Sequence, residues 1–374
     1  MKVVVTGATG LIGWHAMARL HADNCSAIYK GLLPKFEIVG LSREDFNDDM
    51  LLSQALRNAD GVLHFAGVNR GDPDVVEAAN PQIAKRLVAF CNTADINPHI
   101  VYANSVHYRL DSHYGRSKRA AKEIFAQSHK GKFTDLVLPH IFGEGAKPNY
   151  NNVTATFISK IYLGESPNID PSGQVQLLHA GEVAEIAINA VIDGITGQLT
   201  PKGTAMSVSE LFRKLTDFHE SYSIDRIPLL SSDFEKQLFN TYRFEGYPDR
   251  WPRNIPIHVD DRGRLFEAQK GGSDGQVFLS TTRPGVTRGD HFHFRKVERF
   301  LVLQGEAKIR MRRVLGDSIM EFSVSGEDPT PIDMPTLHTH SIENIGEEEL
   351  ITLFWSNEIF DPLDSDTFAD KVIL

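Results

Sequence analysis

The chain has 374 residues and a formal net charge of −10, which argues against a broad nucleic-acid-binding or anionic-membrane surface. Its 41% hydrophobic and 24% charged residues are the balance of an ordinary globular protein, and its length suffices for two domains with separate cores. Only two cysteines, Cys25 and Cys91, are present; they exclude a disulfide scaffold and suit a reducing cytoplasm. The apolar run after Met1-Lys2 is short and passes straight into a glycine-rich segment, so it does not read as a signal peptide, and no stretch reaches the length of a membrane-spanning helix. The expectation is a cytoplasmic protein with no membrane insertion and no nucleic-acid partner.

From residue 1 to about 245, short apolar strands alternate with amphipathic helices, which predicts a parallel sheet covered on both faces. Strands are expected at Lys2–Thr6, Glu37–Leu41, Gly61–Ala66, His99–Asn104 and Thr134–Leu138. Helices are expected at Leu11–Ala22, Pro73–Ala94, Tyr114–Ser128, Gly181–Asp193, Ser207–Phe218 and Asp233–Leu238. The segment 246–256 carries three prolines and reads as a linker. From about Ile257 to residue 374 helical periodicity fades. Short β-rich runs take over at Gln276–Thr281, Arg299–Leu303, Ala307–Arg312, Ile319–Val324 and Leu350–Trp355, separated by Gly and acidic turns. That pattern predicts a small double-sheet β-barrel. The fold class is therefore α/β plus all-β, with domains 1–245 and 257–374.

The first strand runs into Thr6-Gly7-Ala8-Thr9-Gly10-Leu11-Ile12-Gly13. Gly7 permits a tight turn, Gly10 lets the backbone approach a pyrophosphate, and Gly13 lets the helix pack closely on the sheet, while the helix N-terminus offers free N–H groups. At the end of the second strand, an NAD-preferring site usually carries an acid for the ribose 2′-hydroxyl; here Ser42 and Arg43 favour a 2′-phosphate, hence NADPH.

Tyr114 and Lys118 are one helical turn apart and share a face. A phenol has a pKa near about 10 and needs help to move a proton at neutral pH, which a neighbouring ammonium can give. Ser105, at the end of the preceding strand, can hydrogen-bond a substrate oxygen. In the tail, Gly285, His291, His293, Glu298 and Gly305 form a box of metal-ligand residues, with His340 farther on. On a strand His291 and His293 point to the same face. Three imidazoles and one carboxylate suit a borderline divalent ion such as zinc, iron or nickel. His338 and Lys296 lie close by in sequence and are candidate proton carriers.

On these motifs the first 240 residues resemble the extended short-chain dehydrogenase/reductase family. The resemblance also includes His64-Phe-Ala-Gly67-Val-Asn-Arg70, Asn80, Pro139-His-Ile-Phe-Gly143 and Leu178-His-Ala-Gly-Glu182. It implies Ser105, Tyr114 and Lys118 as the catalytic set, with cofactor contacts from Gly7, Gly10, Leu11, Ile12, Gly13, Ser42, Arg43, Ala66, Gly67, Tyr114 and Lys118. Val106-His107 stands where dehydratases of the family carry an Asp-Glu pair, which argues against water elimination. The tail resembles the cupin superfamily, matched at Gly285, His291, His293, Glu298 and Gly305 and again at Pro335, His340 and Asn344. Leu337 replaces the usual turn glycine. The resemblance implies a cupin β-barrel with His291, His293, Glu298 and His340 holding a divalent metal, zinc foremost.

The pairing of the two halves is similar to the bifunctional epimerase–reductase family of capsular polysaccharide precursor synthesis. Lys147-Pro-Asn-Tyr-Asn151, Val259-Asp-Asp-Arg-Gly263 and Asn357-Glu-Ile-Phe-Asp-Pro362 carry that likeness further, and residues 24–35 look like a local insertion. What it implies is a UDP-linked 4-keto-6-deoxy-2-acetamido sugar, epimerised at C3 by the cupin and reduced at C4 with NADPH, on the route to UDP-N-acetyl-L-fucosamine. A homodimer is the expected assembly. Rival readings are an iron dioxygenase, a reductase whose cupin only dimerises or senses, and a UDP-sugar 4-epimerase with tightly held NAD.

Overall fold

The computed structural model describes residues 1–261, 263–271 and 275–374; Arg262, within the quoted segment Val259–Gly263, lies outside them. In chain order the elements are β1 (Lys2–Thr6), α1 (Leu11–Tyr29), β2 (Glu37–Leu41), α2 (Arg43–Asn47), α3 (Asp49–Leu56), β3 (Gly61–His64), α4 (Pro73–Thr93), β4 (His99–Ser105), α5 (His113–Ser128), β5 (Phe133–Leu138) and β6 (His140–Phe142). There follow α6 (Val153–Leu163), β7 (Gln174–His179), α7 (Ala180–Asp193), β8 (Gly197–Leu199), β9 (Thr204–Ser207), α8 (Val208–Ser223), β10 (Arg226–Ile227) and α9 (Asp233–Gly246). The β-rich remainder comprises β11 (Ile257–Asp260), β12 (Gly263–Phe266), β13 (Lys270–Gly271), β14 (Gln276–Thr282), β15 (Thr287–Phe292) and β16 (Glu298–Gln304). It ends with β17 (Glu306–Arg313), β18 (Ile319–Ser325), β19 (Ile332–Met334), β20 (His338–Asn344), β21 (Leu350–Ser356) and β22 (Phe368–Ala369).

The chain forms two compact units, Met1–Val153 with Ser172–Val208, and Thr154–Pro171 with Ser209–Leu374. The first is built on a six-stranded parallel sheet of order β2-β1-β3-β4-β5-β8. Side chains alternate across a strand, so one apolar run feeds two cores. Val3, Val5, Leu63, Val101 and Leu136 pack under α1 and α7, whereas Val4, Val62, Ile100 and Tyr102 pack under α3, α4 and α5. The first part of the segment that looks like an insertion, from Asn24 to Tyr29, extends α1, because its apolar positions continue the helical face through Cys25 and Ala27.

In the second unit two antiparallel sheets, β14-β21-β16-β19 and β18-β17-β20-β15-β22, enclose a core that includes Phe300, Met311, Ile332, Ile342 and Phe354. Helices α8 and α9 group with this unit apart from Val208, and the proline-rich segment after α9 is tied to it. Trp251 is buried there and its indole N–H donates to the Asp333 carbonyl at 2.6 Å, so an aromatic anchor stands where the sequence reads as linker. Fully buried Arg299 pairs bidentately with Asp333 (2.6 and 3.0 Å) and with Asp225 (3.0 and 2.8 Å), and the Tyr222 hydroxyl donates to Asp333. No helix among the described residues is long and apolar enough to cross a membrane.

Candidate functional site

Two sites emerge, one in each unit. In the first, β1 turns into α1 through Gly7, whose φ of +69° and close approach to Ala66 leave no room for a side chain: a Cβ would lie 2.8 Å from the Ala66 nitrogen. A Cβ on Gly13 would lie 2.0 Å from the Gly7 carbonyl oxygen. Gly10 is the N-cap of α1 and supplies no side chain to it, and the first turn, with Leu11 and Ile12, carries no acid. The first amides of α1 therefore lack capping acceptors, as a phosphate cradle requires. Ala66 and Gly67 follow β3. The Asn80 amide clamps this loop by accepting from Val68 N and donating to Val68 O, both at 2.9 Å. The residues fit a dinucleotide. At the end of β2, Ser42 caps α2 and its backbone N–H donates to Asp45 at 2.9 Å, while Arg43 is exposed and has no protein partner among the described residues. The capping acid Asp45 is a feature the sequence reading did not weigh.

Ser105 ends β4, and Tyr114 and Lys118 stand on α5. A hydrogen bond links Ser105 to the Tyr114 phenol. Lys118 Nζ lies 5.9 Å from the centroid of the Tyr114 ring. Burial pushes the phenol up to about 12 against that hydrogen bond. Burial also pushes Lys118 down to about 8, opposed by Asp135, and its Nζ donates to the Ala103 carbonyl at 2.8 Å. Burial beneath α5 is thus the largest influence on both groups. Behind Ser105 runs a chain that sequence reasoning missed. Ser105 N donates to Asn104 Oδ1 (2.8 Å), Asn104 Nδ2 to Asp135 Oδ1 (2.8 Å), and Lys122 pairs with Asp135 Oδ2 (2.9 Å). A further buried group, His15, Glu144 and His179, comes together from α1, β7 and the loop after β6. Glu144 is held at about 2: His179, at 2.8 Å, and His15 override its burial.

In the second unit the structure brings His291, His293, Glu298 and His340 together, with one ligand atom of each within 4.8 Å of the others. His291 on β15 faces His340 on β20 as a cross-strand pair, and Glu298 opens β16. His293 Nε2 lies 3.0 Å and His340 Nε2 3.5 Å from Glu298 Oε2. His293 Nδ1 donates to the Asp366 carbonyl at 2.6 Å and His340 Nδ1 to the His338 carbonyl at 3.0 Å. A carbonyl only accepts, so both Nδ1 atoms carry protons and both Nε2 atoms turn toward the carboxylate. Buried His340 Nε2 has no hydrogen-bond partner. Burial, with the charges of His340 and His293, pushes His291 down to about 3, so its imidazole is neutral at pH 7. Burial would lower His293 too, but Glu298 raises it overall. An orphaned nitrogen among oriented imidazoles and a carboxylate fits a divalent cation.

This cluster opens on a cavity of about 490 Å³ lined by residues that include Arg288, His291, Glu298, Phe278, Phe300 and Phe354. His338 and Lys296 do not line it. His338 packs on Tyr247 and Phe244, with ring centroids 4.7 and 5.4 Å away, and Lys296 lies 5.6 Å from the Phe360 ring centroid. Neighbours in sequence to the ligand set, His338 on β20 and Lys296 in the loop before β16 both pack against aromatic rings. Leu337 adopts the left-handed conformation (φ +57°) of the glycine it replaces, its N–H donating to the His293 carbonyl at 2.8 Å. Asp366 was also missed. Its carboxylate accepts from the backbone N–H groups of Phe294, Arg295 and Lys296 at 3.1, 2.9 and 3.0 Å.

Residues 258–368 match the polysaccharide biosynthesis C-terminal domain, and residues 3–194 match the NAD dependent epimerase/dehydratase family. A UDP-2-acetamido-2,6-beta-L-arabino-hexul-4-ose reductase from Pseudomonas aeruginosa is 31% identical over 100% of this chain and 99% of its own. The crystal structure of the capsular polysaccharide assembling protein CapF from Staphylococcus aureus is similar over 100% of both chains, at 31% identity and a TM-score of 0.60. A UDP-N-acetylglucosamine 4-epimerase from Methanobrevibacter ruminantium shares the fold over 65% of this chain and 97% of its own, at 22% identity and a TM-score of 0.52. With half its length matched and a homologous reductase aligned from end to end, the chain belongs to the NAD dependent epimerase/dehydratase family.

Proposed function

We propose that this chain is a two-site enzyme of surface-polysaccharide precursor synthesis acting on a UDP-linked 4-keto-6-deoxy-2-acetamido sugar, on the route to UDP-N-acetyl-L-fucosamine. The C-terminal unit, read as a cupin, inverts C3, and the N-terminal site reduces the C4 ketone. The observation that carries the reading is the His291–His293–Glu298–His340 cluster, which meets a cavity through His291 and Glu298, on the same chain as a dinucleotide cradle. Those four residues would hold a divalent cation, zinc foremost; when bound, it supplies Lewis-acid stabilisation for charge developing on the ketone oxygen during C3 deprotonation. Phe278, Phe300 and Phe354 would give the sugar an apolar wall.

In the N-terminal unit Gly7, Gly10, Leu11, Ile12, Gly13, Ala66 and Gly67 would hold NADPH, with Arg43 at the 2′-phosphate; the cofactor supplies hydride. Ser105 orients the C4 oxygen and Tyr114 gives it a proton. A phenol pushed up to about 12 is fully protonated at neutral pH, the state a proton donor in the reducing direction needs. Reduction traps the product of a reversible epimerisation.

The test is solvent-deuterium incorporation at C3 of the keto sugar, followed by mass spectrometry. His291→Ala, or removal of metal by chelation, is expected to abolish incorporation while reduction of already epimerised substrate continues. Incorporation that survives either treatment removes the C-terminal unit from the chemistry.

A further inference from the structure

Resting on that reading, we infer that Arg288 anchors the diphosphate of a nucleoside-diphosphate sugar in the C-terminal cavity, with the sugar ring lying between Arg288 and the histidine cluster. Arg288 is the one cation and Glu298 the one acid among the residues that line the cavity. Two residues, Gly289 and Asp290, separate Arg288 from His291, an offset of three that on a regular strand would put them on opposite faces. A β-bulge prevents this. The register of β15 against β20 shifts between Gly289 and His291, and Gly289 and Asp290 both have positive φ, +99° and +55°. The extra residue brings the guanidinium and the imidazole to the same cavity. Gly289 is obligatory for the bulge, since a Cβ there would lie 2.7 Å from the His340 carbonyl oxygen.

The guanidinium is also held in place. Nε donates to Thr282 Oγ1 at 3.0 Å and Nη2 to the Thr281 carbonyl at 3.1 Å. Thr282 is buried, whereas Thr281 and Arg288 are exposed at the rim of the cavity. Nη1 has no protein partner among the described residues. A guanidinium fixed on one edge and open on the other is preorganised for an anion, and phosphate is the anion that its planar donor set fits best. Phe278 stacks on Phe354 at 5.0 Å, and Phe300 meets Phe354 edge-on at 4.4 Å. These rings give an apolar wall for the methyl groups of a 6-deoxy N-acetyl sugar. A free sugar would leave Arg288 idle.

Two measurements on the full chain test this. In hydrogen–deuterium exchange with UDP as probe, the wild type is expected to show protection of peptides covering 276–292, and Arg288→Ala to lose it. Protection at Gly7–Gly13 under NADPH serves as the folding control. In the C3 solvent-exchange assay, Arg288→Ala is expected to raise KM for the UDP-linked keto sugar about 10- to 100-fold. Its rate with the phosphate-free 4-keto-6-deoxy sugar should not change, and Arg288→Lys should be intermediate. No UDP protection at 276–292 in the wild type, or an equal loss with both substrates, overturns the anchor. The two readings separate cleanly. UDP protection without C3 exchange keeps the anchor and sinks the epimerase reading; C3 exchange indifferent to Arg288 does the reverse.

Discussion

Asp366→Ala should loosen the proposed metal centre without touching any of its ligands. Asp366 lies 73 residues beyond His293, yet its carbonyl accepts the His293 Nδ1 proton and its carboxylate gathers three successive backbone N–H groups from the loop between His293 and Glu298. Alanine keeps the carbonyl but strands those three amides. Each hydrogen bond to a charged group contributes about 1.5–3 kcal/mol, and three that converge on one carboxylate are not additive. The loop then no longer fixes the angle between His293 and Glu298. Partners that orient metal ligands contribute about 10- to 100-fold in affinity, and a loss in that range is expected. The assay is zinc competition against a chromophoric chelator, with near-ultraviolet circular dichroism as the check on folding. Asp366→Asn, which retains one acceptor oxygen, should fall between. A folded Asp366→Ala chain with zinc affinity within about twofold of the wild type would refute the reasoning.

Other expectations follow from single contacts. Gly13→Ala puts a methyl group 2.0 Å from the Gly7 carbonyl and must displace the turn; KM for NADPH should rise by at least about tenfold while zinc affinity is unchanged. Asp333→Ala leaves fully buried Arg299 paired on one side only and should destabilise the C-terminal unit by about 3–5 kcal/mol in urea titrations. The same carboxylate is held at about 2, despite burial, chiefly by Arg299. Its stabilisation is therefore complete above the unfolded carboxylate range near about 4 and is lost as pH falls through about 2, so acid unfolding of this unit should be steeper in the wild type than in Asp333→Ala. Lys118 is pushed by burial from 10.5 down to about 8. Between those values the unfolded chain binds the extra proton, so stability should rise with pH there, and Lys118→Met should flatten that slope.

The parallel sheet was legible because alternate residues of Val3-Val4-Val5 go to opposite cores, a pattern that survives any detail of packing. All five strands expected in that sheet form, with ends shifted by a residue or two: the strand at Gly61 stops at His64 and that at Thr134 starts at Phe133. The helices after Val208 were read correctly as helices. Their periodicity says only that one face is buried, not against what, and they group with the β-rich unit. In the tail β14, β16, β17, β18 and β21 were anticipated from apolar runs. β15 and β20, which carry His291 and His340, were not among those runs, because polar and ligand residues interrupt their alternation; His291 and His293 were expected on one strand, but β15 ends at Phe292.

The gathering of His291, His293, Glu298 and His340 was legible because ligand types at strand spacing leave few other uses. Their partners were not. Asp366 is distant in sequence, and Arg288 stands at a spacing that a regular strand would turn away from His291. The expectation of a phenol lowered by Lys118 also failed: charge is visible in a sequence, but burial is not, and burial dominates beneath α5. By itself the sequence determined the periodicity, the glycine turn and the chemistry of the donor set, all local properties of consecutive residues. Only the tertiary structure decided which carbonyl orients His293, where the bulge aims Arg288, and that His338 and Lys296 face aromatic rings instead of the cavity. Those outcomes depend on register and desolvation, which exist only once distant segments have packed.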